Sequence, residues 1–175
     1  MKKDTIIVGN WKMYPLINDG LELAKAIVSH HIHHPKEEII LCPPYPLLYP
    51  IHELLTLQAS SIKLGAQNTS ENDLGAHTGD ISASMLASAG CHYVIIGHSE
   101  RRHAHQETAI QLRNKIIAAI NVQLVPIFCI GESYDCHQKN QTFVWLENQL
   151  KSTLKHLPTL PPTMIIAYEP IWAIG

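Results

Sequence analysis

The stretch His92-Tyr93-Val94-Ile95-Ile96-Gly97-His98-Ser99-Glu100-Arg101-Arg102 changes character at one glycine. Before Gly97 it is a short, β-branched apolar run, the composition of a strand covered on both faces. After Gly97 it turns polar and charged and reads as the start of a helix. Strand, sharp turn, helix is the repeating unit of α/β proteins.

The same unit recurs in both directions. Strand-like runs lie at Thr5–Trp11, Glu38–Cys42, Ile62–Ala66, His92–Ile96, Val122–Cys129 and Thr163–Tyr168. Between them, Ile17, Leu21, Ala24 and Val28 share one helical face, as do Leu47, Ile51, Leu54 and Leu55. A shorter helix is predicted over Ser82–Ala89, ahead of a stop at Gly90. Ala109, Leu112 and Ile116 mark another helix, and Val144, Leu146, Leu150 and Leu154 a further one. The strands are continuous rather than alternating apolar runs, which suits parallel strands joined by right-handed crossovers. No linker-like stretch interrupts the series, so residues 1–175 are expected to form a single domain. One local rule is broken: Pro126 lies inside Leu124-Val125-Pro126-Ile127-Phe128, where a central strand would lose a ladder hydrogen bond.

Doubly wound sheets and (β/α)8 barrels share this pattern. The barrel is favoured because polar residues gather after several different strands: Asn10 and Lys12 after the first, His98, Ser99 and Glu100 after the fourth, Glu169 after the sixth. Doubly wound folds concentrate their chemistry at one switch point. Gly9-Asn10-Trp11-Lys12 also lacks the glycine spacing of a dinucleotide fingerprint.

Composition narrows the functional classes. Of 175 residues, 46% are apolar and 16% charged, and the net charge is −2, which suits a globular chain with no basic face for nucleic acid. The apolar stretch Thr5–Val8 is too short for a signal-peptide core or a membrane span. Cys42, Cys91, Cys129 and Cys136 show no disulfide-framework spacing, so reduced thiols and a cytoplasmic setting are expected.

Three side chains suggest proton chemistry. Glu169 ends an apolar strand and precedes Pro170, which restricts its backbone to extended or turn geometry. Partial desolvation there would raise its basicity, although position alone equally suits a structural carboxylate paired with a cation. His98 stands where a helix begins, a place that favours a neutral imidazole able to donate one hydrogen bond to a carbonyl oxygen; the plainer reading is a turn cap. Lys12 and Asn10 flank Trp11, and alternation puts them on the same side. A base, a neutral electrophile and a cation on one barrel face suit proton transfer beside the carbonyl of a small anionic substrate. His30, His31, His33 and His34 place His30 and His34 one helical turn apart, a metal-ligand spacing. No carboxylate or Cys lies among them and Pro35 follows, so they read as a solvated helix end, and no metal is expected.

Gly9-Asn10-Trp11-Lys12-Met13, Gly97-His98-Ser99-Glu100-Arg101-Arg102, Cys129-Ile130-Gly131-Glu132 and Ala167-Tyr168-Glu169-Pro170-Ile171-Trp172-Ala173-Ile174-Gly175 resemble the successive motifs of the triose-phosphate isomerase family. Gln67-Asn68 followed by Gly75-Ala76-His77-Thr78-Gly79-Asp80 resembles its third loop. Pro126 falls where the family carries proline. The resemblance implies a TIM (β/α)8-type barrel and interconversion of dihydroxyacetone phosphate and glyceraldehyde 3-phosphate through an enediolate, with no cofactor. It implies Glu169 as base, His98 as electrophile, Lys12 and Asn10 as substrate-binding residues, and Ser99 and Glu100 as supports. Pro170 to Gly175 match the start of a lid, with the Gly175 N–H expected at the phosphate. The family is usually a homodimer whose Thr78 loop reaches toward the neighbour's Lys12. Such barrels run to ~250 residues, so the barrel is expected to be incomplete here, with about six strands and the last two β/α units missing. His137 stands where the family often has Arg, and Ala109 where an acidic residue is common. Two rivals remain: an inactive remnant or interaction-only fragment, and a related barrel acting on another small phosphorylated sugar.

Overall fold

The computed structural model describes residues 5–157 and 159–174. Six parallel strands follow one another in space as in sequence: β1 (Thr5–Asn10), β2 (Glu37–Cys42), β3 (Lys63–Ala66), β4 (Tyr93–Ile96), β5 (Val125–Ile130) and β6 (Ile165–Tyr168). Helices cross between them: α1 (Ile17–His30), α2 (Leu48–Leu57), α3 (Ala83–Ser88), α4 (Ser99–Ala104), α5 (Ala109–Asn121), α6 (Tyr134–Gln138) and α7 (Thr142–Leu154). The result is a curled, six-stranded incomplete TIM barrel. Among the described residues β1 and β6 each pair on one side only, and they leave Ile6, Ile7, Ile166 and Tyr168 exposed.

Strand alternation builds two cores. Leu41, Leu64, Val94, Ile96, Phe128 and Ile130 face outward and pack against the helices. Ile40, Cys42, Ile95, Ile127 and Cys129 face inward, with Val8, Ile165 and Ala167 against them. Burial on both faces explains the continuous apolar runs. The same parity places Asn10 in the inward series of Val8 and, past the end of β6, Glu169 in that of Ile165 and Ala167.

Several predicted boundaries shift for identifiable reasons. The run Val122–Cys129 covers two elements, because Val122 caps α5 and Gln123 takes a left-handed φ of 64° before β5 begins. Pro126 fits inside β5 without losing a partner. The Val125 N–H donates to His92 on the β4 side, so the Pro126 nitrogen faces β6, whose pairing starts only at Ile127 with Ile165. On α1, Gly20 and Ala24 make the buried contact while Ile17 stays exposed; a Cβ on Gly20 would meet Leu47 at 2.5 Å. On α7, Val144 points outward, and Leu146, Leu150 and Leu154 pack inward. Ser82 caps α3 by accepting from the Met85 N–H, and Gly90 follows the helix with φ 87°. Thr108 and Gln111 form a capping box at α5.

All four cysteines are buried and free. Desolvation pushes the Cys42 and Cys91 thiols up to about 12. In the histidine cluster, His30 turns its Nδ1 to the Ala26 carbonyl, while His31 and His33 both meet the Ser61 hydroxyl, at 3.2 and 3.0 Å. No group of three metal-ligating side chains is found among the described residues. None of the described helices is long and apolar enough to cross a membrane.

Candidate active site

The C-terminal ends of β1, β4 and β6 bring Lys12, His98 and Glu169 together. Each arrives by a different local device. Lys12 adopts a left-handed φ of 54°, a conformation uncommon for a non-glycine residue. Its N–H donates to Asn10 Oδ1 at 3.0 Å, and Gln67 Nε2 donates to both the Lys12 and Cys42 carbonyls at 2.8 Å. Gln67, from the end of β3, therefore pins the turn that aims Lys12 inward.

His98 is the N-cap of α4, entered through Gly97 at φ 73°. The Glu100 N–H donates to His98 Nδ1 at 3.3 Å. That bond makes Nδ1 an acceptor and assigns the ring proton to Nε2. Nε2 faces Glu169 Oε2 at 3.5 Å, too far for a direct hydrogen bond. Glu100 links the other two: Oε1 lies 2.8 Å from Lys12 Nζ and Oε2 3.6 Å from His98 Nδ1. Hydrogen bonding with Glu100 raises the Lys12 ammonium above its ordinary range, and the same bond holds the Glu100 carboxyl below its own.

Glu169 is held by its backbone and left open at its side chain. Its N–H donates to the Ile130 carbonyl at 2.8 Å, continuing the β5–β6 ladder by one step. Its Oε2 is buried and has no hydrogen-bond donor among the described residues. Burial first, and then the Glu169 charge, push the neighbouring Cys129 thiol upward. A buried carboxylate oxygen with no donor keeps its lone pairs available to a group that enters the cleft.

Two clefts flank this pair. One of about 410 Å³ is lined by Asn10, Lys12, Gln67, His98 and Glu100; one of about 230 Å³ by Ser99, Arg102, Cys129, Gln149 and Glu169. Arg102 supports the wall between β4 and β5. It donates to the Gly97 carbonyl at 2.7 Å and the Cys129 carbonyl at 2.9 Å, and lies over the Phe128 ring.

The chain beyond Glu169 is anchored by Glu132, whose side chain is fully buried. Ile171 N–H donates to its carbonyl at 3.0 Å, and Trp172 Nε1, Tyr168 OH and Thr142 Oγ1 all donate to its Oε1 at 3.1–3.2 Å. Desolvation opposes its ionisation, and these donors together still hold its carboxyl below the usual range. His137 stacks on Trp172 at 4.4 Å, with Nδ1 3.7 Å from Glu132 Oε1. Gly175 lies outside the described residues. Thr78 is exposed on the Glu71–Asp80 loop.

Reading single residues missed the framework. Gln67, Arg101 and Arg102 stand out in the sequence only within motifs, and no motif marks Gln149 or the ion pairs of Glu107 with Lys115 (2.7 Å) and Arg101 (2.6 Å). A polar side chain on an otherwise packed helical face is the available signal: Gln149 follows Trp145 by one turn, beside Leu146 and Leu150.

A parallel strand wall with reactive side chains at the C-terminal ends of separate strands defines the (β/α)-barrel class of protein. Within that class the chain belongs to the triosephosphate isomerase family, whose sequence profile matches residues 5–175. It is 45% identical over 173 residues to the triosephosphate isomerase of Dehalococcoides mccartyi, covering 99% of this chain and 66% of the relative. To the Aquifex aeolicus triosephosphate isomerase it is 39% identical over 170 residues, covering 97% of this chain and 68% of the relative. The crystal structure of triosephosphate isomerase from Bartonella henselae superposes with a TM-score of 0.81 at 38% identity, covering 97% of this chain and 68% of that one. The chain thus spans about two thirds of the length of these relatives.

Proposed function

We propose that this chain carries the catalytic face of a triosephosphate isomerase and interconverts dihydroxyacetone phosphate and D-glyceraldehyde 3-phosphate, a step of central sugar metabolism. Glu169 takes the proton from the carbon beside the carbonyl, and the electron pair moves onto the carbonyl oxygen. His98 donates from Nε2 to that oxygen as charge develops, and the Lys12 ammonium stabilises the enediolate. The proton of the substrate hydroxyl passes by way of His98 Nε2 to the former carbonyl oxygen, and return of the first proton to the neighbouring carbon completes an isomerisation in which nothing is oxidised or reduced overall and no cofactor is needed. Asn10 and the turn around Lys12 hold the substrate; Ser99 and Glu100 support His98; the N–H of Gly175 is the proposed phosphate donor. The homodimer expected of the family rests on the exposed apolar residues near Lys12 and Thr78: Met13, Tyr14 and Leu74.

The observation that carries this reading is the buried, donor-free Oε2 of Glu169 facing His98 Nε2, the ring nitrogen opposite the one that accepts from the Glu100 N–H. Its test is Glu169→Asp in the full-length polypeptide encoded by the gene. Withdrawing the carboxylate by one methylene should lower kcat by ~10²-fold or more, while the affinity for a ground-state analogue such as glycerol 3-phosphate changes little. Full turnover in that variant would remove Glu169 from the role.

The rival reading, a fragment that does not turn over by itself, is supported by the one-sided pairing of β1 and β6. It concerns residues 1–175 as an isolated polypeptide, and the two readings are separated by assaying that polypeptide directly.

A further inference from the structure

Beyond the end of β4, the segment Ile130–Glu132 has a ladder partner on one side only. On the β6 side, Ile130 O accepts from Glu169 N–H and Glu132 O from Ile171 N–H, at 2.8 and 3.0 Å. On the other side β4 has ended at Ile96, and side chains from α7 take the place of a strand. The Gly131 N–H donates to Gln149 Oε1 at 3.0 Å, and the Gly131 carbonyl accepts from Gln149 Nε2 at 3.1 Å and Trp145 Nε1 at 3.2 Å. The primary amide of Gln149 thus mimics a ladder residue, satisfying both backbone groups of one glycine. Against that glycine rests the backbone of Glu169: a Cβ on Gly131 would stand 1.9 Å from the Glu169 carbonyl oxygen and 3.4 Å from Pro170 N. Gln149 and Glu169 line the same 230 Å³ cavity.

We infer that Gln149 is a positioning residue for the proposed proton transfer: its amide fixes the Gly131 backbone, and Gly131 seats the backbone from which the Glu169 carboxylate reaches the substrate. The inference rests on the isomerase reading above. Gln149 reaches no reacting atom; it acts through one glycine. Loss of the clamp leaves Gly131 held on that side by Trp145 alone, and a shift of Gly131 moves the backbone of Glu169 that rests against it. Because a carboxylate displaced by about 1 Å can cost ~10²-fold in rate, the effect should fall on kcat and spare binding through Lys12 and Asn10.

The test uses two variants of the full-length polypeptide. Gln149→Met keeps the length and helix propensity of the side chain and removes both hydrogen bonds; kcat should fall ~10–10²-fold with glycerol 3-phosphate affinity unchanged. Gln149→Glu replaces the amide donor by an ionisable group. As a carboxylate it only accepts and confronts the Gly131 carbonyl; protonated, it donates to that carbonyl as the amide does. The ratio of Gln149→Glu to wild-type kcat should therefore rise as pH falls. Wild-type kcat in Gln149→Met overturns the inference. A flat ratio in Gln149→Glu overturns it as well, and keeps the question decidable if Gln149→Met fails to fold. Glu169→Asp in the same assay separates the two layers: if it is slow while Gln149→Met is not, only the role of Gln149 falls.

Discussion

Replacing Gly131 by alanine adds one methyl group at the place where β5 and Glu169 come closest. The added Cβ would lie 1.9 Å from the Glu169 carbonyl oxygen and 2.8 Å from its carbonyl carbon, where real Cβ contacts essentially never fall below 3.0 Å. The obstacle is backbone, so no side-chain rotation relieves it, and the two segments must separate by about 1 Å. That displacement acts on the residue that moves the proton, and a misplacement of this size costs ~10²-fold in rate. Overpacking of this kind also costs ~1–3 kcal/mol of stability, which for a chain of this length lowers Tm by roughly 2–12 °C. Steady-state turnover of the full-length polypeptide, measured well below the variant's Tm, isolates the first effect. Gly9→Ala is the matched control, since its Cβ would meet nothing nearer than 3.6 Å and Gly9 also lies at a strand end beside the site. Gly131→Ala should lose ~10²-fold in kcat, with glycerol 3-phosphate binding retained, and Gly9→Ala should stay within a few-fold. Wild-type kcat in Gly131→Ala would refute the claim that this contact sets the place of Glu169.

Two further outcomes follow from other parts of the molecule. Glu107 is nearly buried between Lys115 and Arg101; desolvation opposes its charge, but the two cations prevail and hold its carboxyl below the ordinary range. Such a group stabilises the fold above the unfolded carboxylate pKa and loses that contribution as pH falls through its lowered folded value. Glu107→Gln should cost ~3 kcal/mol at pH 7, with the gap to wild type closing below pH ~4; an equal gap at both ends, read by chemical denaturation, contradicts the assignment. Residues 1–175 purified from a host lacking its own isomerase should give only trace turnover and tend to associate, because among the described residues β1 and β6 each pair on one side only and expose the apolar Ile6, Ile7 and Ile166; cooperative thermal unfolding with fast turnover contradicts this.

What the sequence disclosed, and what it withheld, divides along a physical line. Continuous apolar runs mark the strands and period-3.6 patterns most of the helices, because burial of both faces of a strand, or of one face of a helix, writes itself into nearby residues. The barrel is legible because Lys12, His98 and Glu169 each follow a different strand; parity carries Glu169 inward from Ala167, whereas His98, in phase with the outward Ile96, follows the positive φ of Gly97, and Lys12 has a left-handed turn of its own. Contacts made through single backbone atoms were not legible. The left-handed turn at Lys12 depends on Gln67 from another strand, and the seat of Glu169 depends on a glycine held by a glutamine 18 positions further on. The run Val122–Cys129 misled because apolar residues ending a helix and beginning a strand have no boundary between them in composition. Pro126 misled in the other direction: whether it costs a ladder bond depends on which neighbour its nitrogen faces, and that is set by the register with β6.

The central claim is that Glu169 moves a proton between adjacent carbons of a triose phosphate, and solvent exchange reads that step directly. Dihydroxyacetone phosphate incubated in deuterium oxide with the full-length polypeptide should acquire deuterium at the carbon bearing its hydroxyl group, and D-glyceraldehyde 3-phosphate should appear with it. Mass spectrometry of the recovered triose phosphates detects both, even where turnover is slow. Glu169→Gln, which keeps the shape of the side chain and removes its basicity, should abolish enzyme-dependent exchange and isomerisation together. Exchange at the wild-type rate in Glu169→Gln would contradict the account, because another group would then be taking the proton.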